Sequence, residues 1–380
     1  MQIKDYKLGT NIVRYMIDEN ENVSLTLIPE GLEDKFKNSW EREPAPFNPR
    51  ARYTPNRESG HLAYFQLAEQ NICNPCVTMK SNPIAKTLKF KAQESIRDDD
   101  TAKIITTLES DEGYRILHTL TYHNGLRGFE VETEFINNSG KAVTLQMLTS
   151  FVLDNLSPFQ SDDAPNKYRF HRFYGGWSLE GKHCCQTIEE LALEKTWAGW
   201  NSNSEKFGCK GSYPVKRYFP TASFEDTELG VHWTARLAHN ATWQMEITRC
   251  CDFFSFSGGV GDFEFCGWEK NIENGASFKA PKAYISAVSG DIDDACAAVT
   301  DMHKPAYKAH GEDGLPICFN EYCVNWDVPH RIKYSISVIH SRVLTSNILL
   351  LMQAGAKRAV NRILTANGIS TKTSSPICLQ

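Results

Sequence analysis

The sequence predicts a mainly β fold, in which antiparallel sheets pack face to face over residues 1–290. Two observations predict it. Many short segments alternate apolar and polar side chains, with Gly, Pro and Asn between them, and helical periodicity is nearly absent in this region. A chain of 380 residues with 41% hydrophobic and 23% charged residues can bury more than one core. We therefore expect an unusually large sandwich.

The most regular alternation predicts a three-stranded meander. Its first segment, Tyr114–His123, ends at Asn124 and Gly125, a dipeptide that favours a tight hairpin because it tolerates positive φ. In residues 129–135, apolar side chains and one Thr alternate with three Glu, so one face should be buried and the other wet. Residues 138–140 predict the next turn, after which the alternation resumes.

The same pattern predicts further strands at residues 23–28, 102–108, 231–238, 243–248 and 283–288. Residues 41–56 and 157–166 are rich in Pro, Asn, Asp and Arg, and they are predicted to form long surface loops, where binding residues often lie.

A helix is predicted where the alternation ends. Asp291, with Asp294 three residues later, has the spacing of an N-terminal cap, and an apolar stripe follows until Pro305. Residues 291–314 are therefore predicted as a short helical linker. The apolar run at residues 315–319 then predicts a fully buried parallel strand.

Charge and composition exclude several classes of protein. The net charge is −5 and no stripe of Lys or Arg could neutralise phosphates, so no nucleic-acid partner is expected. Residues 1–14 lack the apolar core of a secretory signal, which predicts a cytoplasmic location. The longest candidate apolar run, residues 348–352, is far too short to span a bilayer, so no membrane association is expected.

The twelve cysteines are scattered along the chain and are expected to be reduced. Cys73 and Cys76 have the spacing of a zinc or redox pair, but no second pair follows at zinc-ribbon spacing. We expect neither a metal site nor a cofactor.

Residues 320–327 are the densest polar and aromatic cluster, and they follow the predicted buried strand. Ligand-binding residues collect at the carboxyl ends of strands in α/β folds, which makes this cluster a candidate site. In the alternative interpretation, Asn320 and Glu321 satisfy loop backbone groups, while Tyr322 and Trp326 pack against the sandwich.

Three segments resemble the α-galactosidases of glycoside hydrolase family 36. Residues 315–329, Leu-Pro-Ile-Cys-Phe-Asn-Glu-Tyr-Cys-Val-Asn-Trp-Asp-Val-Pro, resemble the segment that opens that family's catalytic (β/α)₈ barrel. Residues 23–30 resemble an early sandwich strand of the family, and residues 171–173 with 177–180 resemble a central sandwich motif. The resemblance implies a large galactose mutarotase-like β-supersandwich followed by the first strand of an incomplete (β/α)₈ barrel.

The resemblance also implies the chemistry, which is retaining hydrolysis of terminal α-linked galactose without a cofactor, in proteins that often form homo-oligomers. By the same resemblance, Trp326 is a substrate-binding residue that stacks on the sugar. A retaining mechanism needs two carboxylates about 5 Å apart, and in the family both are aspartates on later barrel strands. Residues 315–380 number 66, whereas a complete barrel takes about 250. No catalytic residue is therefore expected in this chain.

Residues 330–380 depart from the family pattern and are predicted to be poorly packed. A shifted reading frame near residue 330 would explain the change. In that frame, the codons of residues 350–357 are compatible with Ile-Asp-Ala-Gly-Trp-Cys-Lys, which resembles the family. The codons of residues 364–372 are compatible with Asp-Gly-Lys-Trp-Asp-Ile-Asn-Lys, which also resembles the family. The alternative is a genuine diverged tail, in which residues 331–353 could form a helix.

Three interpretations of function follow. The favoured one is an inactive fragment of an α-galactosidase whose partner is a carbohydrate, and the second is a stand-alone carbohydrate-binding or oligomerisation module. The third is an epimerase-like enzyme that uses the sandwich itself, since galactose mutarotases use histidines with a carboxylate as acid and base. The residues considered for such a set are His118, His123, His171, His232 and Glu264. Their spacing does not predict that they assemble.

Overall fold

The computed structural model describes residues 2–36, 60–70, 79–80, 83–156, 164–193, 203–211, 215–250 and 253–303. It also describes the backbone of four short strands at residues 318–320, 348–350, 363–365 and 368–369. The chain divides into two compact units, Met1–His303 and Lys304–Gln380.

Most of the regular secondary structure described in the first unit consists of β-strands. In chain order they are β1 (Gln2–Leu8), β2 (Asn11–Ile17), β3 (Val23–Pro29), β4 (Phe65–Leu67), β5 (Lys89–Arg97), β6 (Thr101–Glu109), β7 (Tyr114–His123), β8 (Gly128–Asn137), β9 (Val143–Leu156), β10 (Tyr168–Tyr174), β11 (His183–Thr187), β12 (Asn203–Cys209), β13 (Tyr218–Asp226), β14 (Val231–Leu237), β15 (Trp243–Cys250), β16 (Phe253–Val260), β17 (Lys270–Ile272), β18 (Ser277–Lys279) and β19 (Ala283–Ser289). The α-helices among its described residues are α1 (Phe263–Cys266) and α2 (Ile292–Asp301). Short 3₁₀ turns lie at Glu33–Lys35 and Pro83–Thr87.

These strands form three antiparallel sheets. A ten-stranded sheet has the order β11-β10-β13-β14-β19-β8-β7-β6-β5, with β18 also paired to β8. A six-stranded sheet has the order β12-β15-β16-β9-β17, with β4 also paired to β9. The third sheet contains β1, β2 and β3. The predicted mainly β, antiparallel fold is confirmed.

The core lies between the two large sheets, because each turns one apolar face inward. Phe170 and Phe224 project from the ten-stranded sheet, and their rings meet Phe256 and Phe254 of the six-stranded sheet at centroid distances of 5.6 and 5.0 Å. All four rings are fully buried. Aromatic pairs at such distances add to the free energy gained by removing apolar surface from water.

The strand β8 of the meander has one buried face and one partly exposed face, as its alternation predicted. Phe129, Val131, Thr133 and Phe135 of β8 are buried, whereas the three intervening glutamates are partly exposed. The other predicted strands lie within β3, β6, β14, β15 and β19, apart from one residue at the end of β14.

The predicted helix and its cap are also present. The Asp291 side chain accepts hydrogen bonds from the Asp293 and Asp294 backbone N–H groups, and Asp294 completes a capping box. The helix α2 buries Ala298 and Val299 and packs against β14 and β19. It thus belongs to the first unit.

In the second unit, the described strands are β20 (Cys318–Asn320), β21 (Ile348–Leu350), β22 (Ile363–Thr365) and β23 (Gly368–Ile369). β20 overlaps the predicted parallel strand and pairs in parallel with β21, while β22 and β23 continue the sheet in antiparallel fashion. The alternative helix at residues 331–353 is wrong at residues 348–350, which form β21, the parallel partner of β20. The prediction that the tail is poorly packed stays a prediction.

Among the described residues, no helix is both long and apolar enough to cross a bilayer.

Candidate functional site

Most of the predicted site lies outside the described residues. Residues 321–327, which include Trp326, are not described, and only the backbone of Asn320 is described. The predicted loop at residues 41–56 and the Cys73 and Cys76 pair also lie outside. The role assigned to Trp326 stays a prediction.

A cluster of four titratable side chains lies on the outer face of the ten-stranded sheet, away from the core. It consists of His183 on β11, His171 on β10, Glu225 on β13 and His232 on β14, which are four adjacent strands. Their sequence neighbours Phe170, Phe224 and Trp233 are fully buried in the core. Because successive side chains of a strand point to opposite faces, the four titratable groups share the other face.

Short contacts connect the cluster in one line. His171 Nε2 lies 2.9 Å from Glu225 Oε2, and His171 Nδ1 lies 2.9 Å from His183 Nε2. A carboxylate can only accept, so His171 Nε2 carries the proton. In a neutral His171 ring, Nδ1 then accepts from the His183 N–H. When His171 is neutral, Glu225 therefore fixes the tautomers of both rings.

His232 lies at the inner end of the line. Its Nε2 is 3.7 Å from Glu225 Oε1, which is longer than a hydrogen bond. Its Nδ1 is 3.3 Å from the Ser223 hydroxyl oxygen, which in turn accepts a 2.8 Å hydrogen bond from Thr234. One ring nitrogen of His232 thus faces the carboxylate and the other faces a hydroxyl pair.

Burial and charge set the protonation of this cluster. The hydrogen bond from His171 lowers the pKa of Glu225, against the opposing effect of burial, so the carboxylate is ionised at neutral pH. Burial lowers the pKa of His232 despite the attraction of Glu225. Burial, followed by the charge of His171, also lowers the pKa of His183. The arrangement favours neutral His232 and His183 beside an ionised carboxylate.

Such an arrangement can hold and pass protons along a carboxylate–imidazole line. His232 and His171 are almost fully buried, whereas His183 is exposed and stacks on Phe173 at a centroid distance of 5.4 Å. Solvent or a ligand can therefore reach the cluster at His183. In the described part of the chain, no group of three or more His, Cys, Asp or Glu side chains has the geometry of a metal site.

The cluster corrects one sequence-based expectation. The structure brings His171 and His232 together, with ring centroids 5.4 Å apart, although their spacing did not predict it. The carboxylate is Glu225, whereas Glu264 lies in the short helix α1. His118 faces the core, where burial lowers its pKa to about 4, and His123 lies near Glu130.

Sequence reasoning missed Glu225 and His183. A signal for Glu225 was present, because a hairpin closed near Gly230 pairs Glu225 directly with His232. His183 had no comparable local signal for its place beside His171 and Glu225. It enters the cluster because β10 pairs with β11 on one side and with the distant β13 on the other.

A second buried polar cluster lies on the outer face of the six-stranded sheet. Glu246 is fully buried and accepts a 2.7 Å hydrogen bond from the Met79 backbone N–H. Burial raises the pKa of Glu246 to about 7, although Lys206 opposes the shift. Lys206 itself lies 3.2 Å from Asp262. The Glu246 carboxyl group therefore holds the buried chain segment at Met79. The histidine cluster is the better candidate for a functional site, because His183 reaches solvent.

Comparison with solved structures identifies the fold. An α-galactosidase from Lactobacillus brevis matches 92% of this chain with a TM-score of 0.66 at 14% identity, over 48% of its own length. A variant family 36 α-galactosidase from Geobacillus stearothermophilus, in complex with 1-deoxygalactonojirimycin, matches 97% of this chain with a TM-score of 0.66 at 11% identity, over 54% of its length. The galactosidase domain of an α-galactosidase–sucrose kinase matches 91% of this chain with a TM-score of 0.64 at 10% identity, over 49% of its own length.

The chain thus spans about half the length of the solved proteins that it matches. No protein-family model matches the sequence, and no curated protein matches it at a significant level. The structural likeness shows that the chain has the fold of the N-terminal β-supersandwich region of family 36 α-galactosidases.

Proposed function

We propose that this chain is the sandwich part, with the first barrel strand, of a retaining α-galactosidase that removes terminal α-linked galactose from galacto-oligosaccharides. The observation that carries the proposal is the likeness of 92% of the chain to about half of a solved α-galactosidase. The segment that resembles the start of the family's barrel includes Phe319 and Asn320, which lie in β20, a strand with a parallel partner. Parallel pairing is the arrangement of strands in a (β/α)₈ barrel.

The substrate class in this proposal is a galactoside. Solved relatives are described in complex with stachyose and with raffinose. In this chain, Trp326 is the residue proposed to contact the sugar. An indole provides a flat apolar surface on which the apolar face of a pyranose ring can stack.

The proposal includes a lack of activity in this chain alone. Retaining hydrolysis needs one carboxylate as nucleophile and another as acid and base, and the family resemblance assigns no residue of this chain to either role. We propose that a shifted reading frame near residue 330 replaced the barrel sequence that would carry them. Without these carboxylates, the barrier to glycoside cleavage is not lowered by covalent or acid–base catalysis.

Two protein samples test this proposal. The chain as it stands should release no galactose from raffinose above the rate of a heat-treated sample. A protein expressed from the same gene with the frame restored after residue 329 should hydrolyse raffinose and lose that activity when either catalytic aspartate is replaced by Asn. Hydrolysis of raffinose by the present chain would contradict the proposal. So would a frame-restored protein that is folded by circular dichroism but does not hydrolyse raffinose.

A second candidate is a stand-alone carbohydrate-binding or oligomerisation module. The observation that favours it is Trp177, which is 85% exposed on the turn between β10 and β11. A binding module should show heat of binding for raffinose without turnover in calorimetric titration, whereas an inert fragment should show neither. Trp177→Ala should abolish that heat, and Ile96→Ala, which removes another exposed apolar side chain, should preserve it.

A further inference from the structure

The edge strand β11 is joined to the ten-stranded sheet by an imidazole–imidazole contact. In the described sheet, β11 is the outermost strand and pairs with β10 on one side. All five of its residues are exposed or partly exposed. The His183 ring lies parallel to the His171 ring, with centroids 5.1 Å apart, and His183 Nε2 lies 2.9 Å from His171 Nδ1. Side chains as well as backbone groups therefore hold this edge.

The closed contact accommodates one added proton but not two. Two ring nitrogens that face each other at hydrogen-bond distance need a single proton between them. His171 Nε2 carries its proton toward Glu225, and in the neutral pair the shared proton lies on His183 Nε2. One added proton can then bind to His183 Nδ1 without loss of either contact. A second would have to bind to His171 Nδ1, where two N–H donors would face each other.

The charged groups around the pair are balanced for a single imidazolium. Burial and the charge of His171 lower the pKa of His183, against the attraction of Asp293 in the first turn of α2 and of Glu225. Two imidazolium rings in direct contact would repel each other at short range. The other charged or titratable groups that act on the cluster are Arg169 on β10, His232 on β14, and Asp291 and Asp294 at the start of α2.

We propose that the His171–His183 contact is a proton-operated latch for the β11 edge, closed at neutral pH and opened by acid. The closed latch accommodates one added proton, whereas the open latch, in which His183 turns to water, accommodates two. The strand that yields is β11, because it is paired on one side, while β10 is paired on both sides and His171 is almost fully buried.

Acid favours the open latch because the open state binds more protons. Burial lowers the pKa of His183 in the closed state, so the free energy of opening falls as the pH drops below the ordinary histidine value of 6.5. A difference of one bound proton changes the opening constant by about tenfold per pH unit at most. We expect an increase in opening of about tenfold between pH 7 and pH 5.

Hydrogen exchange measured by mass spectrometry tests the latch in the wild-type chain. The protection of peptides that cover β11, relative to an unstructured chain at the same pH, should fall about tenfold between pH 7 and pH 5. The strand β5 is the opposite edge of the same sheet and contains no histidine, so its protection should stay constant. Constant protection of β11, or an equal loss in β5, would overturn the proposal.

The His183→Gln substitution tests which residue takes up the proton. Glutamine does not titrate, and its amide can offer His171 Nδ1 either a donor or an acceptor. The protection of β11 should therefore become independent of pH between 7 and 5. His123→Gln, the same substitution on β7, is the control and should keep the wild-type dependence on pH. Circular dichroism should show both variants folded. A wild-type dependence in His183→Gln, or its loss in His123→Gln, would also overturn the proposal.

Discussion

The Glu246→Gln substitution should remove a loss of stability that the wild-type protein suffers as the pH rises. Glu246 is fully buried, and burial raises the pKa of its carboxyl group from 4.5 to about 7. The folded chain therefore holds this proton more tightly than the unfolded chain does. Ionising the carboxyl group above pH 7 leaves a charge in a buried site, at a cost in free energy.

The sign and size of the effect follow from the two pKa values. Between pH 4.5 and 7 the folded state binds more protons than the unfolded state, so the free energy of unfolding falls as the pH rises through this window. One pKa unit corresponds to about 1.4 kcal/mol. A shift from 4.5 to about 7 thus gives a total loss of about 3 kcal/mol at pH 8 relative to pH 4, as an upper bound.

Urea unfolding at a series of pH values from 5 to 8, followed by circular dichroism, measures this effect. The difference in unfolding free energy between Glu246→Gln and wild type should shift in favour of the variant as the pH rises, by about 2 to 3 kcal/mol. Glu132→Gln, at a partly exposed position of β8, is the matched control for replacing a strand Glu with Gln. A constant difference for Glu246→Gln would refute the reasoning.

Three further substitutions test the cap, the core and the histidine cluster. Asp291→Ala removes the capping box of α2 and should lower the unfolding free energy by about 1 kcal/mol in urea titration, whereas a neutral effect would refute the cap's role. Phe224→Ala leaves a cavity between the sheets and should cost about 3 to 5 kcal/mol; a loss below 1 kcal/mol would contradict the packing. Glu225→Gln should cost about 2 kcal/mol at pH 7. Because the pKa of Glu225 is lowered, that cost should vanish as the pH falls through the folded pKa, and a pH-independent cost would exclude the His171 contact.

The elements that the sequence predicted well have local signals. The strand β7 coincides with the predicted segment, because alternation and the Asn124–Gly125 turn both mark its boundaries. The cap of α2 was predicted because Asp291 and Asp294 interact within one helical turn. In both cases, the residues that determine the structure are close together in the chain.

The elements that it predicted poorly depend on distant pairing. The second half of β9 is buried on both faces, so alternation disappears after Met147 and the strand's end at Leu156 was not predicted. β10 pairs with β13, and β8 pairs with β19, across many intervening residues. Periodicity within a strand contains no information on such partners.

The candidate site shows the same division. Glu225 and His232 face each other across a hairpin that local reasoning could have identified. His171 and His183 join them only through the pairing of β10 with β13. The assignment of Trp326 rests on the family resemblance, and it stays a prediction.

We propose that this chain is the sandwich part, with the first barrel strand, of an α-galactosidase. Sequencing the gene through the codons for Val328 to Met352 and onward, in all three frames, tests it most directly. We expect an open frame that continues the barrel and encodes two aspartates at the ends of later strands. A gene with no such frame in any register would contradict the claim, and the sandwich would then be an independent protein.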